Sequence, residues 1–211
     1  RHYPYQPTQL QLGLIRAQCA LIAWAQPATK LPKLSHNNTK MGKIRVAING
    51  YGTIGRRVAE AVKKQPDMEL IGASKRSPDY RAFEAVTAGI PLFALSDVAA
   101  FSEAGIPVKG ELGDTLSDSD VVVDCSPKGC GAANRQVYAK YGVKAIFQGG
   151  VKPSVAQCSF NANCNYDQAV GKDFVRVVSC NTTALCRVLN QLSAISAVKK
   201  VRVAIVRRTS D

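Results

Sequence analysis

The stretch AINGYGTIGRRV, residues 47–58, admits few folds. An apolar run, Ile44–Asn49, halts at Gly50. Gly50-Tyr51-Gly52-Thr53-Ile54-Gly55 then spells GxGxxG before a helical pattern from about Thr53 to Lys64. In such a unit Gly50 makes the tight turn, Gly52 lets backbone approach a pyrophosphate, and Gly55 lets the helix lie close on the strand. The helix N-terminus adds unpaired N–H groups and partial positive charge. The motif points to a Rossmann-type α/β fold with a dinucleotide site.

The downstream pattern repeats the alternation. Strands are expected at Met68–Ala73, Asp120–Cys125, Val143–Phe147, Asp173–Val178 and Val201–Val206. Helices are expected at Tyr80–Ala88, Asp97–Glu103, Ala132–Tyr141 and Thr182–Ser193. Several of these strands are apolar throughout, as in a mostly parallel, doubly wound sheet covered on both faces. The second strand runs into Ser74-Lys75-Arg76, where an NAD-binding chain usually carries an acid for the adenine ribose hydroxyls. A hydroxyl and cations there favour a 2′-phosphate, so NADP is expected to bind better than NAD.

Cys180 stands where the apolar run of VVSCNTTALCR gives way to a helical pattern. A thiolate at a helix N-terminus is stabilised by the positive end of the helix. Ser179, Asn181, Thr182 and Thr183 offer donors to an oxyanion or a phosphate. Spacing alone leaves Cys180 balanced between a nucleophile and a buried structural cysteine. Cys125 and Cys186 lie in apolar patterns and read as core, and Cys130 sits in a glycine-rich turn.

Composition narrows the classes. The formal charge of +13 comes as scattered basic pairs, so an anionic partner is expected, either nucleic acid or a phosphorylated small molecule. Seven cysteines without a CxxC pair, and two histidines, both before residue 40, argue against a zinc site. The length and apolar content fit reduced thiols and a cytoplasmic chain rather than a disulfide framework. Residues 1–40 carry five basic residues and no acid, and their apolar part is broken by Gln11, Arg16 and Gln18. They read as a non-conforming extension, outside the fold, before a start at Met41, and not as a bilayer span.

VAINGYGTIGRRVAEAV, IGASKRSPD, VVDCSPKGCGAANR, KAIFQGG, VGKDFVRVVSCNTTALCR and KKVRVAIVRR together resemble the archaeal-type phosphorylating glyceraldehyde-3-phosphate dehydrogenases. The SCNTT block with its downstream arginine pair is the most specific part. The resemblance implies a nicotinamide-binding domain over 41–179 and the beginning of an α+β catalytic domain over 180–211. Cys180 would be the nucleophile, with Ser179, Asn181, Thr182 and Arg207 at the substrate. Gly50, Gly52, Thr53, Ile54, Gly55, Ser74, Lys75, Gly150 and Arg208 would meet NADP or NAD.

The implied reaction oxidises a phosphorylated aldehyde through a cysteine thioester that inorganic phosphate then cleaves, in a homotetramer. A general base is needed, and the family uses a histidine. No histidine follows His36. The expectation is a C-terminally truncated chain that lacks this base and turns over poorly alone. Two rivals remain: a semialdehyde dehydrogenase of amino-acid biosynthesis, with the same glycine turn and thioester, and a non-catalytic nucleotide- or nucleic-acid-binding fragment. The scattered charge and the lack of aromatic stacking motifs disfavour specific nucleic-acid binding.

Overall fold

The computed structural model describes residues 42–148 and 150–206. The expected extension over 1–40 and the arginine pair Arg207-Arg208 lie outside them. The chain begins with β1 (Ile44–Asn49), α1 (Thr53–Lys63), β2 (Met68–Lys75), α2 (Tyr80–Thr87), β3 (Leu92–Ala94) and α3 (Val98–Glu103). It continues through α4 (Leu112–Ser117), β4 (Val121–Asp124), α5 (Gly131–Lys140), β5 (Lys144–Phe147) and a 3-10 turn (Pro153–Val155). It ends with β6 (Cys158–Phe160), α6 (Tyr166–Ala169), β7 (Phe174–Val177) and α7 (Cys180–Ile195).

The seven strands form one sheet in the order β3-β2-β1-β4-β5-β7-β6. Every strand pair in it is parallel. Side chains alternate across a strand, and here they fill two cores. Val46 and Ile48 of β1, Val121 and Val123 of β4, and Ile146 of β5 join Val58 and Val62 of α1 on one face. Ala47, Val122, Ala145 and Phe147 join Leu116 of α4 and Tyr138 of α5 on the other. Because both faces are covered, β4 is buried along its whole length and reads as an uninterrupted apolar run up to Asp124.

Two differences from the sequence reading have physical causes. Val201–Val206, expected as a strand, is not in the sheet. Its side chains are exposed, and neither sheet edge, β3 nor β6, pairs with it, so its N–H and C=O groups find no ladder. The second is a group of short elements that the reading did not contain: β3, α4, the 3-10 turn, β6 and α6 are three to six residues long. Such lengths are too short for a hydrophobic period to show.

Candidate active site

The strand order reverses between β1 and β4: β2 and β3 lie to one side of β1, and β4, β5, β7 and β6 to the other. Open parallel sheets bind ligands beyond the carboxyl ends of the strands at this point. A cleft of about 400 Å³ lies there, lined by Asn49, Gly50, Gly52, Lys75, Arg76, Cys125, Ser126, Cys130 and Asn134, among others.

The glycine turn forms one wall. Gly50 has φ +101°, a region L side chains avoid, and a Cβ there would meet the Cys125 carbonyl carbon and oxygen at 3.0 Å. A Cβ on Gly55 would collide with the Gly50 carbonyl oxygen, so α1 reaches the strand only because residue 55 has no side chain. Gly52 differs: a Cβ there would meet only Arg81 Nη1, at 3.8 Å, which leaves its surface open to a ligand. Ile54, half-exposed, and Thr53, exposed, stand at the first turn of α1 beside this opening.

A buried polar network fixes the turn. Ser74 Oγ donates to Asn49 Oδ1 at 2.7 Å and accepts from Gly50 N at 3.1 Å. Asn49 Nδ2 donates to Tyr138 Oη at 2.6 Å, and Tyr138 donates to Asp124 Oδ2 at 2.9 Å. Asp124 also accepts from Asn134 Nδ2 and Ser126 N, both at 2.8 Å. Burial, and then the Asp124 charge, push the Tyr138 hydroxyl well above its ordinary range, so it remains a donor. The chain of bonds runs from β2 through β1 to β4 and α5, locking the three strand ends that frame the cleft.

Ser74 therefore does not sit as expected. Its side chain is fully buried and its hydroxyl serves the turn rather than facing outward. Lys75 lines the cleft, but its Nζ lies 2.6 Å from Asp79 Oδ2. Burial raises the Asp79 pKa, but hydrogen bonds from Lys75 and from the Ala82 and Arg81 amides outweigh it and hold the carboxyl below its ordinary value. Arg76 also lines the cleft.

Cys180 lies on the same carboxyl edge, at the first residue of α7 after β7. It is exposed, with its Sγ 3.9 Å from Asn181 Oδ1. Ser179 caps the helix: its Oγ accepts from Thr182 N at 3.2 Å and lies 2.8 Å from Thr182 Oγ1. From β1 to β7 is three strand steps, about 14 Å at ~4.8 Å each. Gly150, exposed and with φ +67°, follows β5 between them. Arg176 of β7 clamps that loop by donating to the Val151 carbonyl and to Ser159 Oγ, each at 2.7 Å.

The structure thus brings Gly50, Gly52 and Lys75 to one cleft and sets Ser179–Thr182 further along the edge. Arg207 and Arg208 lie outside the described residues. Asn49, Ser126 and Asn134, also at the cleft, were missed. Their signal is positional: they matter because β4 neighbours β1, and strand order is not written in local sequence. Among the described residues no group of three or more His, Cys, Asp or Glu could hold a metal. No helix among them is long and apolar enough to cross a membrane.

This fold and this cleft define a dinucleotide-binding domain of the dehydrogenase type. Residues 44–150 match the family model described as dihydrodipicolinate reductase, N-terminus. The chain is 55% identical over 169 residues to the glyceraldehyde-3-phosphate dehydrogenase of Metallosphaera sedula, covering 80% of this chain and 50% of that one. It is 51% identical over 172 residues to that of Sulfolobus acidocaldarius, covering 81% and 50%. Against that of Methanococcoides burtonii it is 52% identical over 172 residues, covering 81% and 51%. The chain spans about half the length of these relatives. Among solved structures, apo scyllo-inositol dehydrogenase from Lactobacillus casei is similar over 52% of this chain and 29% of that one, with 17% identity. Its TM-score of 0.40 is too low to bear on the site. The chain belongs, through residues 44–150, to the family of dihydrodipicolinate-reductase-type N-terminal domains, and over its matched length it is similar to archaeal glyceraldehyde-3-phosphate dehydrogenases.

Proposed function

We propose that the whole protein is an NADP-preferring, phosphorylating glyceraldehyde-3-phosphate dehydrogenase, a cytoplasmic homotetramer, and that this chain supplies its dinucleotide site and its nucleophile. One observation carries the reading: the glycine turn and Cys180 lie on one carboxyl edge of one parallel sheet, with a cleft at the strand-order reversal. The cradle fits a dinucleotide, because Gly50 and Gly55 cannot carry side chains and Gly52 leaves its face open. NADP is favoured over NAD because no acid is found among the described residues lining the cleft, and the nearest one at β2, Asp79, is taken up by Lys75 and the α2 amides.

In this reading the Cys180 thiolate adds to the aldehyde carbon, giving a tetrahedral oxyanion on the protein. The α7 N-terminus, with Asn181 beside the sulfur, faces that oxygen. A nicotinamide cofactor held at the Gly50–Gly55 turn would supply the acceptor for the hydride of this carbon. A thioester on Cys180 remains. Inorganic phosphate attacks its acyl carbon, the sulfur leaves as thiolate, and an acyl phosphate departs. Ser179, Asn181 and Thr182 orient the reactants but cannot serve as the base, since none titrates near neutrality.

The test offers the full-length protein glyceraldehyde 3-phosphate and aspartate semialdehyde in parallel, each with NADP and phosphate. Reduction with the first and not the second is expected, together with its loss in Cys180→Ser. Reduction with the second alone overturns the substrate assignment.

A further inference from the structure

Two of the three side chains expected to stand at a 2′-phosphate, Ser74 and Lys75, are spent elsewhere. Ser74 is buried under the turn, and Lys75 is balanced by Asp79 at 2.6 Å. On α1, Arg56 is spent likewise, 2.6 Å from Glu84. Two other cations stand at the same rim. Arg76 follows β2, lines the cleft, and makes no ion pair or hydrogen bond with the described residues. Arg81, in the first turn of α2, folds back across the glycine turn.

The Arg81 guanidinium is held in place. Nη1 donates to Thr53 Oγ1 at 2.8 Å, Nε donates to Tyr80 Oη at 2.7 Å, and the group lies 5.5 Å from the Tyr80 ring centroid. Nη2 finds no acceptor among the described residues. The helix bearing it is tethered to α1 by the Arg56–Glu84 pair and by Lys63 Nζ, which donates to the Ala88 carbonyl at 3.0 Å. A guanidinium fixed on one edge and open on the other presents a planar fork suited to a phosphate monoester. Its Thr53 contact places it at the first residue of the phosphate-binding helix, on the β2 side, where the adenine ribose of a bound dinucleotide lies.

We propose that Arg76 and Arg81, rather than Ser74 and Lys75, are the residues that select a 2′-phosphorylated adenosine. The assignment rests on the dinucleotide reading above. Thr53 acts here as a positioning residue, holding the fork through Nη1.

The test titrates the full chain with NADPH, NADH, and the half-ligands 2′,5′-ADP and 5′-ADP. In Arg81→Ala and in Arg76→Ala the dissociation constants for NADPH and 2′,5′-ADP should rise about ten- to a hundredfold, the loss of charge-assisted hydrogen bonds. Those for NADH and 5′-ADP should change less than about threefold. Arg81→Gln, which can keep a hydrogen bond to Thr53 without the charge, should behave like Arg81→Ala. Lys75→Ala should have the smallest effect of the four. Equal losses for NADPH and NADH would overturn the assignment and leave Arg81 as a prop for the turn. A loss confined to Lys75→Ala would return the selection to Lys75. If the unsubstituted chain binds neither dinucleotide, the site reading beneath falls, and this assignment with it.

Discussion

At the scale of single residues, the glycines of the turn divide the work. Gly55 is demanded by packing, because any Cβ meets the Gly50 carbonyl. Gly55→Ala should lower stability by about 1–3 kcal/mol, the range for forcing atoms into filled space, as read from urea unfolding. At Gly52 a Cβ meets only the Arg81 guanidinium, at 3.8 Å. Gly52→Ala should leave the urea midpoint nearly unchanged, within about 0.5 kcal/mol, yet weaken dinucleotide binding, because the methyl occupies the face a pyrophosphate approaches. A residue pair that separates stability from binding in this way would locate the ligand on Gly52. The cysteines divide too. Burial pushes the Cys125 thiol far up, and the Asp124 carboxylate adds to this, so it remains a thiol at neutral pH. Cys180 is exposed at the start of α7. Iodoacetamide followed by peptide mapping should modify Cys180 and spare Cys125, and a preference for Cys130 or Cys158 would count against the proposed nucleophile.

At the scale of elements, what the sequence shows depends on the reach of the interaction. β1, α1 and β4 were legible because burial on both faces writes a continuous apolar run and a helix face writes a 3.6-residue period. The Cys180 junction was legible for the same local reason, an apolar run giving way to a helical pattern, whereas the capping role of Ser179 was not. The inward turn of Ser74 was not, because it depends on Asn49, which lies 25 residues away along the chain but is joined through the sheet. The network through Tyr138 was likewise hidden, since it needs α5 to lie beneath β1 and β4. Tyr138→Phe tests it: the ring still fills the core, while Asn49 Nδ2 and Asp124 Oδ2 lose a buried partner, a cost of about 1–3 kcal/mol by denaturant unfolding. The Lys75–Asp79 pair belongs at this scale too, because Asp79 also caps α2. Its folded pKa lies below the ordinary 3.8, so the unfolded state takes up protons first as the pH falls. The stability it contributes is present above that value and is lost as the pH drops through the folded one. Removing the carboxyl by Asp79→Ala should flatten the acid limb of the stability–pH curve below about pH 4.

At the scale of the whole molecule, α1 and α7 differ in how they are covered. α1 buries Gly55, Val58, Ala59, Ala61 and Val62 against the sheet. In α7, sixteen residues long, none is buried, and Val188, Leu192 and Ile195 are 57%, 48% and 83% exposed. The residues after it extend the apolar surface through Val198, Val201, Val203 and Ile205. A helix with no fully buried residue draws less stability from tertiary packing, which is where most helical stability in proteins comes from. Val188, Leu192 and Ile195 meet water in this chain, and exposed apolar surface promotes association. Light scattering of the chain should therefore rise with concentration. Leu192→Lys together with Ile195→Lys should suppress that rise while leaving the urea midpoint of the dinucleotide-binding fold within about 0.5 kcal/mol, because neither side chain enters the cores around β1, β4 and β5. A fall in that midpoint by several times this amount would show that α7 is part of the cooperative unit, and would tie Cys180 to the stability of the sheet that carries the glycine turn.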